Sequence, residues 1–126
     1  MLLSDIDYIG FHNNGSIIYF SDGNKIYSQL IPKKVVNLFK INTTKITSYK
    51  NPIYIKNIIF QPTKALKLFD CEFINLINVI KIKQSHCGTY IYYRNNIIHS
   101  ELPSNIIYRY LKTNVLCKIR INMLLD

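Results

Sequence analysis

The sequence predicts an α+β fold that is mostly β: two related small antiparallel sheet units joined by a short helix. The first unit is expected in residues 1–60, the helix and second unit in 61–126. Three observations carry this. Part of the chain repeats, short β-branched and aromatic runs alternate with turn residues, and one segment between the repeats has apolar residues at helical spacing.

The repeat is the most informative. Gly15 to Phe20 read GSIIYF, and Gly88 to Tyr93 read GTYIYY. Asn24 to Pro32 (NKIYSQLIP) then answers Asn95 to Pro103 (NNIIHSELP), and Val35-Val36 answers Ile106-Ile107 beyond each proline. Skipping Asp22 and Gly23 brings the two into register. The expectation is two superposable units, with Gly15 over Gly88 and Pro32 over Pro103.

Each unit reads as a hairpin. Ser16–Phe20 and Thr89–Tyr93 are short runs of strand-forming residues. Asp22-Gly23 supplies the positive φ of a tight turn in the first, and Arg94-Asn95-Asn96 makes the turn of the second, since Asn tolerates that region. The return strands are Lys25–Ile31 and Ile97–Leu102, ended by Pro32 and Pro103, which cannot donate a ladder hydrogen bond. After each proline two readings compete. PKKVVNLFK fits a helix with proline at its first position. Ile106, Tyr108 and Tyr110 alternate with Ile107, Arg109 and Leu111 at strand period. Both segments are read as strands. Further strands are expected at Lys45–Tyr49, Pro52–Phe60, Val79–Gln84 and Val115–Asn122. The joining helix is expected from Pro62-Thr63 onward, where Ala65, Leu68 or Phe69, Phe73, Leu76 and Ile77 recur at helical spacing.

Composition bounds the function. The 126 residues fit one domain or two half-domains with a shared core, and 48% hydrophobic content argues against disorder. The net charge is +9, from 16 Lys and Arg against 7 Asp and Glu. A folded domain this basic needs an anionic partner, of which nucleic acid is the commonest and a membrane surface the next. The chain holds 23 Ile, 14 Asn and 13 Lys against one Ala and 3 Arg, the bias of a very AT-rich genome such as that of an organelle, parasite, large virus or plasmid. No apolar run is long enough to span a membrane. The opening MLLSDIDYIG carries neither a signal-peptide pattern nor an Arg-rich amphipathic presequence, so organelle encoding is expected if the protein works in an organelle.

Chemistry has little to stand on. Cys71, Cys87 and Cys117 are widely spaced, and with His12, His86 and His99 they match no metal-ligand pattern, so free thiols and no metal are expected. The carboxylates form no spaced pair, four glycines make no phosphate loop, and no nucleophile signature surrounds a cysteine. The expectation is a binding protein with no cofactor and no small-molecule substrate, not an enzyme. The ten tyrosines suit base stacking, although Tyr92, Tyr93, Tyr108 and Tyr110 read more simply as half-buried strand residues. Candidate RNA-binding residues are Lys81, Lys83, Arg94, Asn95, Asn96, Arg109, Lys112, Lys118 and Arg120, all in the second unit.

A duplicated, basic, small α+β unit with a proline corner resembles ribosomal protein L-six of the large subunit. Leu102-Pro103-Ser104-Asn105-Ile106 is similar to that family's Ile-Pro-x-x-Ile corner, Asn75–Lys83 to its opening strand, Gly88–Tyr93 to its hairpin strand and Thr113–Asn122 to its end. Ile77 and Asn78 stand where the family has glycines, and the turn Arg94-Asn95-Asn96 lacks its Ser-His. The resemblance implies a structural rRNA-binding protein of the large subunit of a mitochondrial ribosome. Its partners would be ribosomal RNA, held mainly by the second unit, and neighbouring ribosomal proteins, with no membrane insertion. The alternative is a viral or plasmid-encoded basic protein, in the cytoplasm of its host cell, that binds host protein or DNA.

Overall fold

The computed structural model describes residues 5–39, 53–55, 58–64 and 68–113. The strands expected at Lys45–Tyr49 and Val115–Asn122 lie outside them. The chain is mostly β with two antiparallel sheets and few helices. Its strands are β1 (Ile6–His12), β2 (Gly15–Phe20), β3 (Lys25–Ser28), β4 (Ile53–Ile55), β5 (Ile58–Pro62), β6 (Phe73–Asn75), β7 (Lys81–Ser85), β8 (Gly88–Tyr92) and β9 (Ile97–Ser100). Helix α1 is Pro32–Leu38 and α2 is Ser104–Thr113. The first sheet runs β3-β2-β1-β6-β5-β4, and the second β7-β8-β9. The first sheet thus draws strands from beyond the boundary expected at residue 60.

Both units are a three-stranded meander followed by a helix. Strand β1, absent from the expectations, opens the first. It turns into β2 through Asn13 and Asn14, both left-handed with φ of 47° and 62°, as the right-handed twist of a tight hairpin requires. The corresponding features of the two units are made by corresponding bonds. Ser16 Oγ donates to Leu30 O at 2.6 Å and Thr89 Oγ1 to Leu102 O at 2.7 Å. Leu30 N donates to Ser28 Oγ and Leu102 N to Ser100 Oγ. Phe20 N reaches Asn24 O, and Tyr93 N reaches Asn96 O, each at 2.8 Å. Gly15 falls on Gly88 as expected.

The prolines do not match. Ser28 corresponds to Ser100 and Leu30 to Leu102, so the first turn is longer by one residue and not two. Pro32 is the first residue of α1, whereas Pro103 stands one position earlier, as Ile31 does: Ile107 N reaches Pro103 O, and Val35 N reaches Ile31 O.

Both post-proline segments are helices, which corrects the strand reading. Pro32 occupies the position where a helix needs no N–H donor, and Val35 and Val36 turn inward with Phe39 against them. In α2, Ile107 and Leu111 lie one turn apart and are buried, while Asn105 and Arg109 are exposed. The run IIYRYL satisfies both periods because apolar residues fill adjacent positions. The joining helix is likewise corrected. Thr63 N donates to Glu72 O and Glu72 N to Thr63 Oγ1, closing the ends of β5 and β6 into sheet geometry. Phe73 is fully buried and Phe69 is exposed, which splits the supposed helical face. Among the described residues of this stretch only Leu76–Asn78 coil, as one 3-10 turn capped by Asn75 Oδ1. β6 fills the gap between β1 and β5, and pairing two strands outweighs a weak local helical period.

Two cores result. Ile9, Ile18, Phe20, Phe60 and Phe73 meet Val35 and Val36 of α1 on one side of the first sheet. On its other side Tyr8, Ile59 and Ile74 meet the second unit's Ile91, Tyr93, Ile98, Ile107 and Leu111. The second unit therefore sits with its helix-bearing side on the first sheet.

Gly15 and Gly88 lie against the returning strand. A Cβ on Gly15 would stand 2.1 Å from Ser28 O, and one on Gly88, at φ 151°, 2.0 Å from Ser100 O. Gly15→Ala and Gly88→Ala should each lower stability by roughly 2–4 kcal/mol in urea denaturation, because backbone and not a flexible side chain must give way. A loss below about 0.5 kcal/mol at either would show that the crossing is looser.

Burial raises the Tyr8 and Tyr93 phenols above the ordinary 10.0, with the Glu72 carboxylate adding at Tyr8 and Asp7 at Tyr93. A pKa raised by folding leaves stability intact below the unfolded value and erodes it as pH climbs beyond 10.0. In alkaline titration followed by ultraviolet absorbance, the last tyrosinates should appear together with loss of the circular dichroism signal. Smooth ionisation of all ten before unfolding would contradict this burial.

Candidate nucleic-acid interface

Strand alternation gives the second sheet two unlike faces. Thr89, Ile91, Ile98 and Ser100 point inward and are buried. Lys81, Lys83, Tyr90, Ile97 and His99 point outward and are exposed, with Tyr92 half-exposed beside them. Among the described residues no helix or strand covers this outer face. Register sorts it into two cross-strand rows: Lys81, Tyr92 and Ile97, then Lys83, Tyr90 and His99. Lys81 Nζ stands 4.7 Å from the centre of the Tyr92 ring. Tyr90 and His99 meet edge to face at 4.9 Å. Ser85 Oγ lies 2.9 Å from His99 Nε2 and steadies that ring. Between residues 81 and 100 the chain carries Lys81, Lys83 and Arg94 and no Asp or Glu.

The other expected residues scatter. Arg94 is exposed in the β8–β9 turn. Asn95, beside it, donates from Nδ2 to Ser21 O at 2.6 Å and ties the turn to the first unit. Asn96, also expected among the RNA contacts, is turned into the seam between the units. It is 7% exposed and donates to Asp7 Oδ2 at 2.9 Å and to Phe20 O at 2.7 Å. Sequence reasoning placed it on the surface because Asn abounds in turns. Arg109 is exposed on α2, on the other side of the second sheet from Lys81 and Lys83, because α2 lies against the inner face. Lys112 belongs to α2, and Lys118 and Arg120 lie outside the described residues. Tyr90 and His99 were missed. The signal was present in the parity that Tyr90 shares with Tyr92 on β8.

Two other places differ from this face. A cleft of about 220 Å³ between the units has Lys64, Asp70, Glu72 and Glu101 in its wall, so its charge is wrong for phosphate. At the β7–β8 turn, Cys87 Sγ lies 3.7 Å from His99 Nε2, the nitrogen that Ser85 also approaches. All three atoms share one exposed site, an arrangement that serves hydrogen bonding at a turn. Among the described residues no group of three or more His, Cys, Asp or Glu could hold a metal ion, and no helix is long and apolar enough to cross a membrane.

Comparison of the chain with protein-family models, curated proteins and solved structures produced no match.

Cys71 is buried, and burial pushes its thiol pKa up, whereas Cys87 is exposed. A thiol reagent followed by peptide mapping should modify Cys87 at once and Cys71 only on unfolding. Equal rates would contradict this arrangement.

Proposed function

We propose that the protein is a non-catalytic nucleic-acid-binding domain whose partner is RNA and whose binding surface is the outer face of the second sheet. The single observation behind this reading is that face: two lysines and three aromatic side chains on adjacent rows, in a stretch without a carboxylate. Lysines on a rigid strand give phosphate contacts fixed in position but indifferent to sequence. The net charge of +9 supplies the long-range attraction.

The specific setting we infer is the large subunit of a mitochondrial ribosome, with ribosomal RNA and neighbouring ribosomal proteins as partners. Duplication, basicity and size support it. Its test is co-sedimentation of the native protein with large subunits at high salt. Recovery in the free fraction rejects the ribosomal setting and leaves RNA binding to the next measurement.

RNA affinity should fall with salt on a log–log slope of roughly −0.7 per phosphate contact. Lys81→Gln with Lys83→Gln should flatten that slope by about one to two contacts and weaken binding. Lys33→Gln with Lys34→Gln on α1 removes the same charge far from the face and should cost less. Equal losses from the two pairs would mean diffuse attraction and no defined surface.

A further inference from the structure

Resting on the reading above, we infer that the outer face of the second sheet takes an extended single strand, with one base stacked on Tyr90 and the next on Tyr92 while Lys81 and Lys83 hold the phosphate between them and the one beside it.

Spacing comes first. Tyr90 and Tyr92 are two residues apart on β8, so their rows lie about 6.6 Å apart along the strand. Bases within a duplex strand rise about 3.4 Å per nucleotide. A duplex cannot set consecutive bases on these two rings, whereas a single strand drawn out along β8 can place one base on each. Flanking residues match that path. Each ring has a lysine directly across on β7, Lys83 opposite Tyr90 and Lys81 opposite Tyr92. On the other side Tyr90 faces His99 and Tyr92 faces Ile97.

Availability of the rings comes second. Tyr90 is 42% exposed and touches His99 by an edge contact, so a ring face stays open. Tyr92 is half-exposed with the Lys81 ammonium over its ring. An exposed cation–π contact is worth only about 0.5–1 kcal/mol, and a phosphate offers the ammonium a charged acceptor. Arrival of a backbone phosphate can therefore draw Lys81 aside and free the ring for the base attached to it.

Contrast with the first unit comes third. Tyr19, the counterpart of Tyr92, leans on Tyr8 at 5.4 Å. Tyr8, the counterpart of Lys81, is buried against the second unit. Tyr19 also carries an ammonium, Lys25 Nζ at 4.8 Å, so the difference lies on the first strand of each unit: buried Tyr8 and Gly10 in one, exposed Lys81 and Lys83 in the other.

The test is fluorescence anisotropy with a labelled ten-nucleotide single strand of uridine and a blunt RNA duplex of ten base pairs, on wild type and on Tyr90→Ala, Tyr92→Ala and Tyr90→Phe, with circular dichroism confirming each fold. The wild type should prefer the single strand. Each alanine variant should lose about five- to hundredfold in single-strand affinity with an unchanged salt slope, and Tyr90→Phe should retain affinity. Unchanged single-strand affinity in both alanine variants overturns the stacking inference, and so does equal binding of single strand and duplex by the wild type. In either case salt-dependent RNA binding sensitive to Lys81 and Lys83 would keep the broader reading intact. Absence of salt-dependent binding to either RNA overturns both.

Discussion

A buried carboxylate joins the two halves of this molecule. Asp7 sits at a register irregularity of β1, between Ile6 and Tyr8, where the extra residue turns its side chain out of the ladder and into the seam between the units. It is 1% exposed. Asn78 donates to one carboxylate oxygen at 3.0 Å, and Asn96 to the other at 2.9 Å. A buried carboxyl group left without partners costs several kcal/mol, and the two amide donors offset that cost. Asn96 also satisfies Phe20 O, and Asn75 and Tyr93 extend the seam, Asn75 donating to Ile6 O and Tyr93 to Asn75 O. Apolar contact alone would let the second unit slide on the first. This polar set gives it one position.

That position decides which surface remains for a partner. Docking the second unit covers one side of the first sheet, and α1 covers the other. Among the described residues, β1 and β2 are covered on both sides while β3 stays exposed at the edge, and the outer face of β7, β8 and β9 is left open, so the asymmetry between the two related units follows from the order in which they stack.

How much of this was legible depended on whether the signal was local. Turn residues and strand-forming runs marked β2, β3, β8 and β9, and the glycines Gly15 and Gly88 revealed the duplication, because close approach to Ser28 O and Ser100 O leaves no room for a side chain. The register after each turn was misjudged by one residue, since two prolines aligned by eye without sharing a backbone position. Strand β6 was hidden because Phe73–Asn75 is short and its identity comes from β1 and β5 on either side. Lys81 and Lys83 were singled out from charge alone. Their aromatic neighbours needed the register of β7 and β8, and Asn96 needed the seam, neither of which is written in any single segment.

The substitution of Lys81 and Lys83 for Tyr8 and Gly10 has a consequence for the length of the tandem array. In the first unit Gly10 leaves space for the Tyr8 ring, and together they make a seat that receives the next unit. With lysines in the same two places, the second unit offers no seat to a third. In stacked-repeat architectures the terminal module carries a polar outer face that halts growth and keeps the stack in solution. Here Lys81 and Lys83 give the outer face of the second unit that polar character, where Tyr8 and Gly10 give the first unit an apolar seat.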